Sequence, residues 1–141
     1  MADVTEKPTT HRRPHPQALA APFLEIDLTR ALDELRREPE WERRQNAKTL
    51  VKYDDFRIVL TVLKAHHKIP DHQTAGRVSI HIVSGHVLVR AEGRTFDLPA
   101  GRIVALDRGI GHELEAVSES AVLQTIVWPT EAETGTIPPP M

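Results

Sequence analysis

The sequence predicts an all-β fold, a β-sandwich or barrel with one short N-terminal helix. Two observations carry this. Short Val- and Ile-rich segments recur at near-regular spacing through the second half of the chain. Turn signals separate them, at Pro70-Asp71, Ser84-Gly85, Glu92-Gly93, Pro99-Ala100-Gly101, Gly109-Ile110-Gly111 and Ser118-Glu119-Ser120.

The helix comes first. Asp27 is a suitable N-cap, and Leu28, Ala31, Leu32 and Leu35 follow at the spacing of one helical face. Pro39 limits its length. Trp41 then sits in an irregular stretch through Asn46, where it is expected to press on a barrel wall. Strands are expected at Phe56–Lys64, Arg77–Val83, His86–Ala91, Thr95–Leu98, Arg102–Leu106, Glu113–Val117 and Ala121–Trp128. The first and fifth are apolar on both faces, so each needs a cover on its outer side. The helix supplies one cover and a second subunit another, and a homodimer is expected on that ground.

The chain has 141 residues, 40% hydrophobic and 27% charged, which suits one domain. Residues 1–22, interrupted by Pro8, Pro14, Pro16 and Pro22, read as a disordered tail. Residues 23–130 form the folded domain, and residues 131–141, with Pro138-Pro139-Pro140, read as a loose C-terminal tail. A formal net charge of -2 argues against a general nucleic-acid or anionic-membrane binder. There is no cysteine, which excludes disulfides, thiolate metal sites and thiol catalysis. No apolar run approaches the roughly 20 residues of a membrane span. A cytoplasmic, soluble protein is the expectation.

The informative stretch is His66 to Ala116. Its spacing resembles the two motifs of the cupin superfamily. The first, Gly-x5-His-x-His-x3/4-Glu-x6-Gly, falls on His66, His72, Thr74, Val78 and Gly85. The second, Gly-x5-Pro-x-Gly-x2-His-x3-Asn, falls on Gly101, Asp107, Gly109, His112 and Ala116. The turn glycines 85, 101 and 109 are in place. Of the four usual metal ligands, only His72 and His112 are kept, with Thr74 and Val78 in the other two positions.

The resemblance implies a small RmlC-like jelly-roll barrel (a double-stranded β-helix), often dimeric, with a divalent metal in the mouth of many members. It spans dioxygenases, isomerases, epimerases, decarboxylases and non-enzymatic binders, so the fold alone does not choose a function. The depleted ligand set points to a small-molecule binder whose pocket is lined by His72, Thr74, Val78, Ile80 and His112, with a weakly held divalent metal (Zn, Fe, Mn or Ni) on His72 and His112 as a further expectation. The alternative is a metal-dependent dioxygenase or isomerase, in which His66, His67 or His81 completes the shell. Strand parity sets His81 on the face opposite Val78 and Ile80. Gln73, Arg77 and Arg90 are candidates to meet an anionic ligand. Glu113 and Glu115 share the face opposite His112 and make a poor acid–base pair for this site.

Overall fold

The structure, a computed structural model, describes residues 18–129. The side chain of Asp27 accepts the N–H of Arg30 at 3.1 Å and opens helix α1, Leu28–Arg37. Ala31 and Leu35 are buried, with Leu28 and Leu32 packed beside them, as the helical spacing requires. At the far end Asn46 donates through Nδ2 to the carbonyl of Leu35 and to Oε1 of Glu38, both at 2.9 Å. A 3-10 turn, Pro39–Arg43, buries Trp41, and the ammonium of Lys64 stands 4.8 Å from its ring centroid.

Nine strands follow: β1 Gln45–Lys52, β2 Phe56–Leu63, β3 Lys68–His72, β4 Arg77–Ser84, β5 His86–Ala91, β6 Arg94–Pro99, β7 Ile103–Leu106, β8 His112–Ala116 and β9 Ser120–Val127. They form two antiparallel sheets, ordered β1-β2-β9-β4-β7 and β3-β8-β5-β6. This is the jelly roll expected from the sequence, and all seven expected strands form to within a residue at each end.

Two strands were not expected. β1 begins in the last two residues of the stretch read as irregular, Gln45 and Asn46, and runs on to Lys52 before the first expected strand; a register shift between Thr49 and Val51 breaks its alternation. It pairs along its whole length with β2, from Gln45 opposite Leu63 to Lys52 opposite Arg57. β3 carries Pro70, which a central strand excludes but this edge strand accepts.

The two sheets enclose one apolar cluster, which includes Val78, Ile80 and Ile82 of β4, Val87 and Val89 of β5, Leu114 and Ala116 of β8, and Val122 of β9. A second cluster lies outside the five-stranded sheet. Here α1 and Trp41 cover Leu50, Val51, Leu60, Val62 and Ala121. The helix therefore supplies the cover that β2 needs. It leaves the outer face of β7 open, where Ile103 is 60% exposed.

The tail expectation for residues 1–17 lies outside the described residues, as does that for 131–141. Within 18–22, the carbonyl of Leu19 accepts the N–H of Lys52 at 2.8 Å, and that of Ala21 accepts the hydroxyl of Tyr53. Among the described residues, no helix is long and apolar enough to cross a membrane.

Candidate functional site

His112 opens β8 and alternates with Leu114 and Ala116, so its ring points between the sheets. It is 1% exposed. Its cross-strand partner is His72, the last residue of β3. Reaching that position takes a bulge. Ile69 pairs with Leu114 and His72 with His112, so three steps on β3 span two on β8. The extra residue lets Ile69 and His72 both face inward, which simple alternation forbids. The two imidazole centroids lie 4.3 Å apart with their planes tilted by 54°.

Each ring is oriented by a carbonyl two residues before it. Nδ1 of His72 donates to the carbonyl of Pro70 at 3.0 Å, and Nδ1 of His112 to that of Ile110 at 3.1 Å. A carbonyl only accepts, so Nδ1 carries the proton in both neutral rings and Nε2 carries the lone pair. Nε2 of His112 is buried and has no hydrogen-bond partner among the described residues. Burial holds the His112 pKa below the ordinary imidazole value, and the neighbouring His72 pushes the same way. The bond to Ile110 and the charge of Asp71 oppose this more weakly.

Val78 and Ile80 point inward from β4 into the cluster that also holds Leu114. Thr74 sits in the β3–β4 connection. Its hydroxyl accepts the N–H of Gly76 at 3.2 Å, and its carbonyl accepts that of Gly109 at 3.0 Å, tying together the two loops that carry the motifs. The motif glycine at 85 has a physical reason. Its φ is +86°, and a Cβ there would stand 2.3 Å from both the carbonyl oxygen of Glu119 and Oγ of Ser120.

The remaining histidines go elsewhere. His66 has a φ of 72° and is exposed in the β2–β3 connection. His67 bonds through Nε2 to Oε1 of Gln45 at 2.9 Å. His81 lies on the outer face of β4, in register with Ile103 and Leu123. None of them joins His72 and His112, and among the described residues no three His, Asp or Glu side chains gather as a metal site. Two neutral imidazoles are half a shell, and Val78 brings no donor atom. The donor set does not fit a tightly held resident metal.

The arginines weighed from sequence also face away. Arg77 pairs with Asp107 at 3.0 Å, and Arg90 pairs with Glu113 and Glu115 at 2.9 Å each on the outer side of the four-stranded sheet. Arg90 is held above the usual guanidinium pKa by these bonds, Glu115 first. Asp107 is held below the usual carboxylate pKa, by the N–H of Arg108 first and then by Arg77.

An inward arginine was missed. Phe56, Ile58, Leu60 and Val62 pack on the helix side of β2, so Arg57 falls on the barrel side with Leu63. Its guanidinium carbon stands 4.8 Å from the ring centroid of Trp128. The signal was legible, because Arg57 is the one charged residue on the inner face of β2, beside Val59, Thr61 and Leu63. Gln124 is inward by the same parity, opposite Val59 and Ile80.

The site is therefore a histidine pair at one end of an antiparallel β-sandwich, over an apolar floor. No family model matches the sequence, and no curated protein does. Solved structures match the fold. A conserved protein of unknown function from Streptococcus pyogenes is 27% identical at a TM-score of 0.58, over 61% of this chain and 75% of that one. An RmlC-like cupin protein from Desulfovibrio desulfuricans is 24% identical at 0.57, over 61% and 84%. A cupin superfamily protein from Desulfitobacterium hafniense is 14% identical at 0.59, over 60% and 78%. The fold is that of the small RmlC-like cupins. Enzymes share that fold, among them a salicylate 1,2-dioxygenase from Pseudaminobacter salicylatoxidans, 15% identical at 0.60, of which this chain covers 32%.

Proposed function

We propose that this protein binds a small molecule at the mouth of its barrel, against His72 and His112, with no tightly held metal. One observation carries the reading. Nε2 of His112 is a buried acceptor with no partner among the described residues. Leaving such an atom unpaired costs about 1–3 kcal/mol, a cost that a bound donor removes. The floor beneath it is apolar, formed by side chains such as Val78 and Ile80, as small-molecule pockets generally are. A divalent cation at this pair would draw most of its shell from water or from the ligand, so it would be held weakly.

A metal-dependent dioxygenase or isomerase needs a third protein ligand, and His66, His67 and His81 stand apart from the pair. A homodimer belongs to the same reading. The outer faces of β4, β7 and β9 leave a groove of about 300 Å³ lined by residues including Arg77, Ser79, Ala105 and Val127, next to exposed Ile103. We also propose a cytoplasmic location for the protein.

The test is a fragment screen by thermal shift on untagged protein, with elemental analysis after growth in Mn, Fe, Ni and Zn. Fragments should raise the melting temperature of the native chain and not of His112→Leu, with metal well below one per chain. Stoichiometric metal, or fragments that stabilise both proteins equally, would contradict the reading.

A further inference from the structure

We infer that the ligand of this pocket is a small carboxylate that also carries a hydroxyl group, held by Arg57 through the carboxylate and by His112 through the hydroxyl. This rests on the binding reading above and names the class of molecule bound.

Arg57, Ile126, Val78 and Leu106 form one row across the five-stranded sheet. Val78 and Leu106 adjoin the two short connections, 73–76 and 107–111, that lead to His72 and His112 and are tied together by the Gly109 N–H on the Thr74 carbonyl, and Val78, Ile126 and Leu114 all pack between the sheets. Arg57 and His112 therefore stand on facing sheets at the same end of the barrel. Nε of Arg57 is buried and has no hydrogen-bond partner among the described residues. The contact with Trp128, 4.8 Å from guanidinium carbon to ring centroid, is a cation–π contact and not a hydrogen bond, so it does not satisfy the N–H of Nε.

Charge strengthens the demand for an anion. Lys52 is the cross-strand partner of Arg57 and shares its face of the sheet. Asp54 and Asp55 lie in the intervening turn, yet among the described residues no ion pair joins Lys52 or Arg57 to a carboxylate. Two adjacent cations that no carboxylate pairs with among the described residues favour a bound carboxylate, and a guanidinium meets it with two parallel N–H bonds.

His112 asks for a different group. With Nδ1 donating to Ile110, its buried Nε2 accepts. A carboxylate offers that atom no proton, whereas a hydroxyl does. One molecule satisfies both sites when it carries the two groups together.

The test is calorimetric titration with lactate and salicylate. Each is compared with the acid lacking the hydroxyl, propionate or benzoate, and with the neutral amide, lactamide or salicylamide. At least one hydroxy acid should bind more tightly than both of its comparators. Arg57→Gln should weaken the acids about tenfold or more and leave the amides unchanged, with Arg57→Lys intermediate. His112→Leu should remove the advantage of the hydroxyl. Amides that bind as well as acids to the native chain, or an Arg57→Gln affinity equal to the native one, would overturn the inference. Neutral fragments that bind where every hydroxy acid fails would also overturn it, while leaving the binding reading intact. A pocket that takes no fragment of any class overturns both.

Discussion

His72 and His112 face one another across the β3–β8 ladder, with ring centroids 4.3 Å apart, because a bulge at Pro70 and Asp71 turns His72 inward. One ring is exposed and the other buried.

The first prediction concerns pH. Burial lowers the His112 pKa in the folded chain, while the unfolded chain titrates near the ordinary value of about 6.5. Between those values the unfolded state binds more protons, so stability rises with pH. The contribution is fully present above about pH 6.5 and is lost as pH falls through the folded value. Thermal melts of the native chain should fall on acidification through this window, and those of His112→Leu should fall less. Parallel profiles would contradict the assignment.

His112→Leu should be neutral in stability to within about 1 kcal/mol near neutral pH, because it removes an unpartnered nitrogen along with a single hydrogen bond. Urea denaturation measures this. A loss of several kcal/mol would mean that the imidazole holds the fold rather than serving a ligand.

Two glycine substitutions should differ sharply. Gly93→Ala meets no atom within 4 Å at a φ of +77°, so it costs only the left-handed penalty of about 1–2 kcal/mol. Gly85→Ala adds contacts of 2.3 Å at a similar φ and should cost clearly more, moving β5 away from Ser120. Equal melting temperatures for the two variants would refute the steric account.

Leu35→Ala should cost about 2–5 kcal/mol, because a fully buried side chain leaves the helix-to-sheet cluster. Chemical denaturation reads the loss. An effect under about 1 kcal/mol would mean that α1 is not needed to cover β2.

On the uncovered side, Ile103→Glu should shift sedimentation from dimer to monomer without lowering the melting temperature of the monomer. A native chain that sediments as a monomer at micromolar concentration would rule the dimer out.

Much of this was legible in the sequence. Alternation placed Val78 and Ile80 inward, and set Glu113 and Glu115 opposite His112. The spacing of Asp27, Ala31 and Leu35 gave α1 from its cap onward. What escaped depended on irregular pairing. β1 and β3 each contain a register shift, and period-two reasoning has no signal for a bulge. Arg57 escaped because β2 was read for its apolar residues, although the same parity shows that this arginine faces inward.

The most direct measurement is nitrogen-15 NMR of the His112 imidazole during titration with a ligand found in the fragment screen. Nε2 should begin as an unprotonated nitrogen without a hydrogen bond and move upfield as it accepts a bond from the bound molecule, while Nδ1 stays protonated. A ligand that saturates the protein without moving that resonance would place binding elsewhere and contradict the account.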